Sequence, residues 1–336
     1  MHRIIAEKSF ESAPVNAERA RWLLEQMVRA RTFDERAIAL QRRGWISGYP
    51  PYRGQEASQI GTASALTDSD WLVPTYRANA MQFARGVPFE DILRFRRGHP
   101  EFDSAHELPI LPQAVPIATQ LPHAAGIGMA IDYAGDDARV LCYFGDGATS
   151  EGDFHEALNF AGVFEAPVVF LCENNHWAIS LPRDRQTRAQ TIAQKATAYG
   201  IAGMRVDGND PIAVADTVET ALERAESDEP VLVESLTYRQ GPHSTSDDPD
   251  RYRDDESDLP DWRTADPIER FTDYLMDAGV IDDAFDESVR AEARSEIDDA
   301  VDRIKSAEDG TAEELFDPVY EKLTPRLRRQ RASHRT

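Results

Sequence analysis

Val140-Leu141-Cys142-Tyr143-Phe144-Gly145-Asp146-Gly147 and, one helix-length further on, Val168-Val169-Phe170-Leu171-Cys172-Glu173-Asn174-Asn175 are the two runs that decide how this chain folds. Each is a short apolar stretch that ends in a polar residue able to bind a metal. The first, Val140 to Phe144, has the β-branched and aromatic content of a buried strand and stops where glycines permit a tight turn. Glu151 to Val163 reads as a helix, and Pro167 introduces the second strand, Val168 to Cys172. Such a crossover makes the two strands parallel, so Asp146 and Asn175 leave the sheet at the same edge. That edge is where open α/β sheets bind their ligands.

A carboxylate and an amide carbonyl form an oxygen-only set suited to magnesium, which completes its octahedron with phosphates and water. The N–H groups of Gly147 and Ala148, opening toward the next helix, suit an anion. A metal-bound diphosphate fits this arrangement. Taken singly, Gly-Asp-Gly is a turn and Asn-Asn a loop. Paired across one crossover, they resemble the thiamine-diphosphate signature and depart from the Rossmann fingerprint and from the lysine-bearing phosphate loop.

The 336 residues, 41% of them hydrophobic, suffice for one large α/β domain or two modest ones. No apolar run approaches the ~20 residues that span a bilayer, and the amino terminus lacks a signal-peptide core, so no membrane association and a cytoplasmic location are expected. Cys142 and Cys172 both fall inside predicted strands, which makes them inert core thiols. The formal charge of -23 argues against nucleic acid as a partner, because phosphates require basic surface. Lysine occurs only at Lys8, Lys195, Lys305 and Lys322. At ~1 M salt the screening length falls to ~3 Å, so this acidity fits a salt-loaded cytoplasm such as that of halophilic archaea.

Along the chain, residues 1–16 show no periodicity and read as an arm, while Ala17 to Leu40 carries the spacing of an amphipathic helix. Gly44 to Gly54, rich in glycine, proline and aromatics, reads as a loop able to wall a pocket and leads into a helix from Gln55 to Leu66. Trp71-Leu72-Val73 is a short strand, and Tyr76-Arg77 follows it to the same edge, where a guanidinium can pair with phosphate oxygens. Pro100 to Pro116 is a long irregular segment whose apolar end should line a site. Thr119 to Ile131 is a helix whose Ala124, Ala125, Gly126 and Gly128 suit close contact with another backbone, a subunit interface being one candidate.

Further elements are a helix from Gln186 to Tyr199, a strand from Gly203 to Val206, a helix from Ile212 to Ala225 and a last core strand from Pro230 to Tyr238. This alternation predicts an α/β fold with a doubly wound, mostly parallel sheet. His243 sits in the polar segment after the last strand. Loop histidines are usually surface decoration, but this one leaves the metal-bearing edge, and an ordinary imidazole pKa suits proton transfer near neutrality. Pro267 to Ala278 and Glu287 to Ile304 are acidic amphipathic helices, followed by an arginine-rich tail, Arg326 to Arg335. The expected division is an arm and helix over 1–40, an α/β domain over 41–265, and a helical extension over 266–336 packed on the same domain.

Taken together, these residues resemble the alpha subunit of the decarboxylase component of 2-oxo-acid dehydrogenase complexes, the pyruvate and branched-chain enzymes, over roughly residues 40 to 325. The resemblance is carried by Gly145-Asp146-Gly147 and Asn174-Asn175 together with Gly54-Gln55-Glu56-Ala57, Tyr76-Arg77, Arg97-Gly98-His99, Gln194-Lys195-Ala196, Arg205-Val206-Asp207-Gly208 and Tyr238-Arg239-Gln240-Gly241-Pro242-His243-Ser244. It implies a thiamine-diphosphate-binding fold with extra C-terminal helices. Asp146, Asn175 and the backbone carbonyl of Trp177 would hold magnesium. Gly147, Ala148, Tyr76, Arg77 and His243 would surround the diphosphate, and Val115 and Ile117 would approach the aminopyrimidine. Relatives often carry tyrosine at the position of Trp177, a change that a backbone ligand tolerates.

Glu173 and Pro242-His243 look more like bacterial pyruvate-type subunits than branched-chain ones. Some relatives hold potassium near the positions of Ala114, Pro116, Thr119 and Gln120; without serine at position 114 that ion is not expected. The carbanion chemistry belongs to the cofactor, with His243 assisting proton movement or acyl transfer. The resemblance also implies a beta subunit that supplies the activating glutamate in a heterotetramer of two alpha and two beta chains. A lipoyl-bearing acyltransferase would accept the acyl group. Ser244 matches a regulated serine of eukaryotic relatives, although an exposed loop serine is the simpler reading. An acetoin-cleaving alpha subunit shares these motifs, and a cofactor-free scaffold is the remaining alternative, against which Asp146, Asn175, Arg77 and His243 speak.

Overall fold

The computed structural model describes residues 1–101, 107–113, 115–253, 259–305 and 311–334. The amino-terminal part contains α1 (Ala17–Arg42), α2 (Glu56–Ser64), β1 (Trp71–Val73), α3 (Asn79–Ala84), α4 (Phe89–Arg96) and α5 (Gln120–Ala134). The two decisive runs form β2 (Val140–Gly145) and β3 (Val168–Asn174), joined through a 3-10 turn, Asp146–Ser150, and α6 (Gly152–Phe164). A small hairpin, β4 (Trp177–Ala178) and β5 (Leu181–Pro182), precedes α7 (Arg183–Gln186). Then come β6 (Ala202–Asp207), α8 (Pro211–Glu226) and β7 (Val231–Leu236). The chain closes with α9 (Asp261–Thr264), α10 (Pro267–Asp277), α11 (Asp283–Lys305), α12 (Ala312–Phe316) and α13 (Pro325–Ser333).

The main sheet has the order β1-β2-β3-β7-β6, and every neighbouring pair is parallel. Both faces are buried, which is why the strands read as unbroken apolar runs. Leu141, Tyr143, Val169, Leu171, Val231 and Val233 enter a core shared with α1, α2, α8, α10 and α11. Val140, Cys142, Phe144, Val168, Phe170, Cys172 and Leu232 enter the opposite core, with α5 and α6. The two thiols are free and buried, and burial pushes both well above the ordinary thiol pKa, which keeps them protonated and unreactive. Register aligns the carboxyl ends: Gly145 pairs with Glu173, and Asn174 with Leu236. Val73 pairs with Cys142, so Tyr76 and Arg77 run on beside the end of β2.

Two segments differ from their sequence reading. The expected helix over Gln186 to Tyr199 is interrupted: α7 ends at Gln186, and only Ala193–Tyr199 turns again, as 3-10. Buried Glu234 accepts the N–H groups of Ile192 and Ala193, and Gly203 packs directly on the Ala193 carbonyl, which fixes this stretch against the sheet instead of letting it coil. The amino-terminal arm is pinned at its start. His2 donates to the Arg205 carbonyl at 2.8 Å and accepts from Asp207 at 3.0 Å, covering the edge of β6, while Asp210 holds the N–H groups of Ile4 and Ile5. In α5, as its small residues suggested, one face is closely packed: a Cβ on Gly128 would lie 2.5 Å from Val168 of the chain's own sheet, while Gly126 is exposed with open space beside it. Parts of the Pro100 to Pro116 segment and of the arginine-rich tail lie outside the described residues, as does Ala114. No described helix is long and apolar enough to cross a membrane.

Candidate active site

At the carboxyl edge of the sheet lies a cleft of about 240 Å³. Tyr76 and Arg77 reach it from β1, Asp146, Gly147 and Ala148 from β2, Asn175 and Trp177 from β3, and His243 from the segment after β7. Ile117 lines its mouth, ahead of α5. The sequence-chosen residues therefore meet in one place, with one exception: Val115 is not among the lining residues and is 62% exposed.

One corner suits a hard cation. Asp146 is buried, its Oδ2 accepts from Gln186 Nε2 at 3.1 Å, and its Oδ1 is buried with no hydrogen-bond partner. Burial raises its pKa, partly opposed by the Gln186 hydrogen bond and by the charges of Arg263 and Arg239. An orphaned carboxylate oxygen in such a place is what a metal ion would satisfy. Asn175 donates Nδ2 to Gln55 Oε1 at 2.8 Å, which fixes the amide with its oxygen outward, and that oxygen accepts the Trp177 N–H at 3.2 Å. The Trp177 carbonyl is 3.5 Å from Arg239 Nη1, a distance too long to occupy it strongly. Carboxylate, amide oxygen and carbonyl oxygen fit magnesium. Among the described residues no group of three His, Cys, Asp or Glu side chains forms an alternative centre. Gly147 is required here, because a Cβ would sit 2.9 Å from that of Ala178.

The opposite corner is cationic. Arg77 is held by Nε on the Pro51 carbonyl at 3.0 Å and by Nη2 on the His243 carbonyl at 2.6 Å. Its Nη2 also lies 3.2 Å from His243 Nδ1, and Arg239 Nη1 lies 3.4 Å from the same atom. A guanidinium can only donate, so Nδ1 is the acceptor and the ring proton sits on Nε2. Burial, then Arg77, then Arg239 push the His243 pKa down to about 3. The expectation that this imidazole titrates near neutrality is thereby corrected: in the ligand-free chain it is neutral at pH 7 and presents an Nε2–H donor.

Two residues escaped the sequence reading of the site, Arg239 behind His243 and Glu173 in the cleft lining. Arg239 is fully buried, donates to the Ile179 carbonyl at 2.7 Å and to the Tyr252 hydroxyl at 2.8 Å, and has its pKa lowered by burial to about 10. Glu173 accepts from the Tyr143 hydroxyl, and burial pushes its pKa up to about 8, so it is a neutral acid on the cleft floor at pH 7. The available signal was a charged residue within or directly after an otherwise apolar strand.

A fully parallel sheet that gathers an oxygen-only metal corner and a guanidinium-imidazole corner on one edge defines a cofactor-binding α/β enzyme. The chain belongs to the dehydrogenase E1 component family, which it matches over residues 24–313. It is 44% identical over 317 residues to the 3-methyl-2-oxobutanoate dehydrogenase subunit alpha of Mycobacterium tuberculosis, covering 94% of this chain and 86% of that relative. It is 40% identical over 316 residues to the pyruvate dehydrogenase E1 component subunit alpha of Staphylococcus epidermidis, covering 92% and 84% respectively. The protein of that name from Staphylococcus aureus is 39% identical over 316 residues.

Proposed function

We propose that this chain is the alpha subunit of a 2-oxo-acid dehydrogenase, acting on pyruvate or a branched-chain 2-oxo acid, and that its cleft holds thiamine diphosphate through magnesium. The observation that carries the reading is the unpartnered, buried Oδ1 of Asp146 in the same cleft as Asn175, Arg77 and His243. Asp146, Asn175 and the Trp177 carbonyl would ligate the ion. Gly147 and Ala148 N–H groups, Arg77 and the His243 Nε2–H would bind diphosphate oxygens, while Tyr76 packs its ring edge-on to His243 at 6.2 Å. The cofactor, when bound, supplies the carbanion stabilisation that decarboxylation requires. A diphosphate beside Arg77 and Arg239 would offset their charge and raise the imidazole pKa, which arms His243 as a hydrogen-bond and proton donor.

Ile117 and Ile179 at the cleft mouth, 45% and 55% exposed, offer apolar surface to a covering beta subunit, and the names of the relatives support an alpha chain in a larger assembly. A lipoyl-bearing acyltransferase would take the acyl product. The formal charge of -23 separately supports a salt-loaded cytoplasm. Calorimetry with magnesium and thiamine diphosphate tests it: the chain purified with its beta partner should bind the cofactor, and Asp146→Ala should abolish binding. Turnover of pyruvate, 3-methyl-2-oxobutanoate and 3-methyl-2-oxopentanoate by the pair would rank the substrates. Full activity from the isolated chain would overturn the half-site assignment.

A further inference from the structure

Asp34 lies on α1, outside the cleft and 0% exposed. Its Oδ1 accepts from the Tyr49 hydroxyl at 2.9 Å and from the Tyr52 N–H at 3.2 Å, so one atom grips two points of the segment 49–54. That segment is the common support of three cleft residues. Between the two gripped residues, the Pro51 carbonyl holds Arg77 Nε. The Tyr49 backbone makes two hydrogen bonds with Thr245, two residues beyond His243: its N–H donates to the side-chain Oγ1 at 3.1 Å and its carbonyl accepts the Thr245 N–H at 2.9 Å. At the far end, Gln55 donates to the Tyr52 carbonyl at 2.9 Å and its side chain orients Asn175.

We propose that Asp34 is a positioning residue for the reaction, fixing the Tyr49–Tyr52 support so that Arg77, His243 and Asn175 are preorganised to receive a metal diphosphate. The inference rests on the proposed reading of the cleft. Among the described residues no cation forms an ion pair with Asp34: Arg31, on the same helix, is committed to Glu56 at 2.6 Å and Asp266 at 2.7 Å. Burial and the Glu56 carboxylate push its pKa up to about 7. An acid kept in so unfavourable a place is explained by the two donors it anchors, since an apolar replacement would leave the buried Tyr52 N–H without an acceptor and the Tyr49 hydroxyl without its 2.9 Å partner.

The test uses the chain assembled with its partner subunit, magnesium thiamine diphosphate as probe, calorimetric Kd as readout and thermal melts run in parallel. Asp34→Leu keeps the branched shape, with bulkier methyls, but removes the acceptor, and should weaken binding by about tenfold or more, the loss expected when one to two hydrogen bonds hold the site's geometry. Asp34→Asn keeps an acceptor oxygen and should restore most of the affinity. Tyr49→Phe should reproduce part of the loss, and the Asp34→Leu/Tyr49→Phe double variant should fall short of additivity. Binding by folded Asp34→Leu equal to the parent's, with only the melting point lowered, would overturn the proposal, as would an Asp34→Asn variant as weak as Asp34→Leu. Should Asp34→Leu fail to fold, Tyr49→Phe decides alone, and undiminished binding refutes. A parent assembly that binds no cofactor would instead bring down the cleft reading itself.

Discussion

Histidine 243 shows how neighbours reassign a residue's chemistry. Burial comes first, and with two guanidiniums already donating to Nδ1, the one nitrogen still able to take a proton, protonation would also add a third positive charge to that corner, so the imidazole stays neutral far below its usual range. NMR titration of the ligand-free chain should therefore show His243 resisting protonation to about pH 3, and Arg77→Ala should bring its midpoint back up toward 6.5. Asp34 runs the other way. Its folded pKa of about 7 exceeds the ordinary 3.8, so between those values the folded state keeps a proton that the unfolded state has lost. Its contribution is fully present below pH 3.8 and is lost as pH rises through 7. Asp34→Asn carries no such term. Relative to the parent it should gain stability between pH 4 and 7, on the order of 4 kcal/mol in full, and no more above that window, as denaturant unfolding would show. The chain sequence identified His243 but put its titration near neutrality, because a pKa depends on neighbours that only folding supplies.

Elements set the cleft by close approach. Segment 49–54, legible as a glycine- and proline-rich loop able to wall a pocket, closes against the exit of β7 at Gly54. There φ is +89°, and a Cβ would lie 2.4 Å from the Tyr238 carbonyl. Gly54→Ala should thus cost about 2–4 kcal/mol, combining left-handed backbone strain with a backbone clash, and should weaken cofactor binding as well. An unchanged melting point would contradict this. The small residues of α5 were legible as a close-packing face, but pattern alone did not say what packs there; Gly128 meets Val168 of the chain's own sheet. The broken helix before β6 was illegible for a similar reason. Its amides are claimed by Glu234, a residue distant in the chain whose carboxylate is placed by β7.

For the molecule as a whole, a charge of -23 sets stability against self-repulsion. Many of the ion pairs are exposed, such as Arg224–Glu229 and Lys305–Asp302, and such pairs contribute roughly 0–1 kcal/mol each, so screening them costs little. Relief of the net repulsion should therefore win. The melting midpoint is expected to rise from dilute buffer to about 1 M potassium chloride, where the screening length is ~3 Å. A flat or falling midpoint in scanning calorimetry would remove the case for a salt-loaded cytoplasm.

By itself the amino-acid sequence determined the parallel sheet, its buried strands and the edge at which Asp146, Asn175, Arg77 and His243 emerge. Those depend on local apolar patterning and on the geometry of strand-helix-strand connections, which are written in consecutive residues. Tertiary structure alone decided the protonation of His243, the placing of Arg239 against that ring and of Glu173 in the cleft, the turning of Val115 to solvent, and the link from Asp34 to the anion corner. Each of these rests on burial or on charges brought together from distant parts of the chain, and the energy of a charge is fixed by what surrounds it in space.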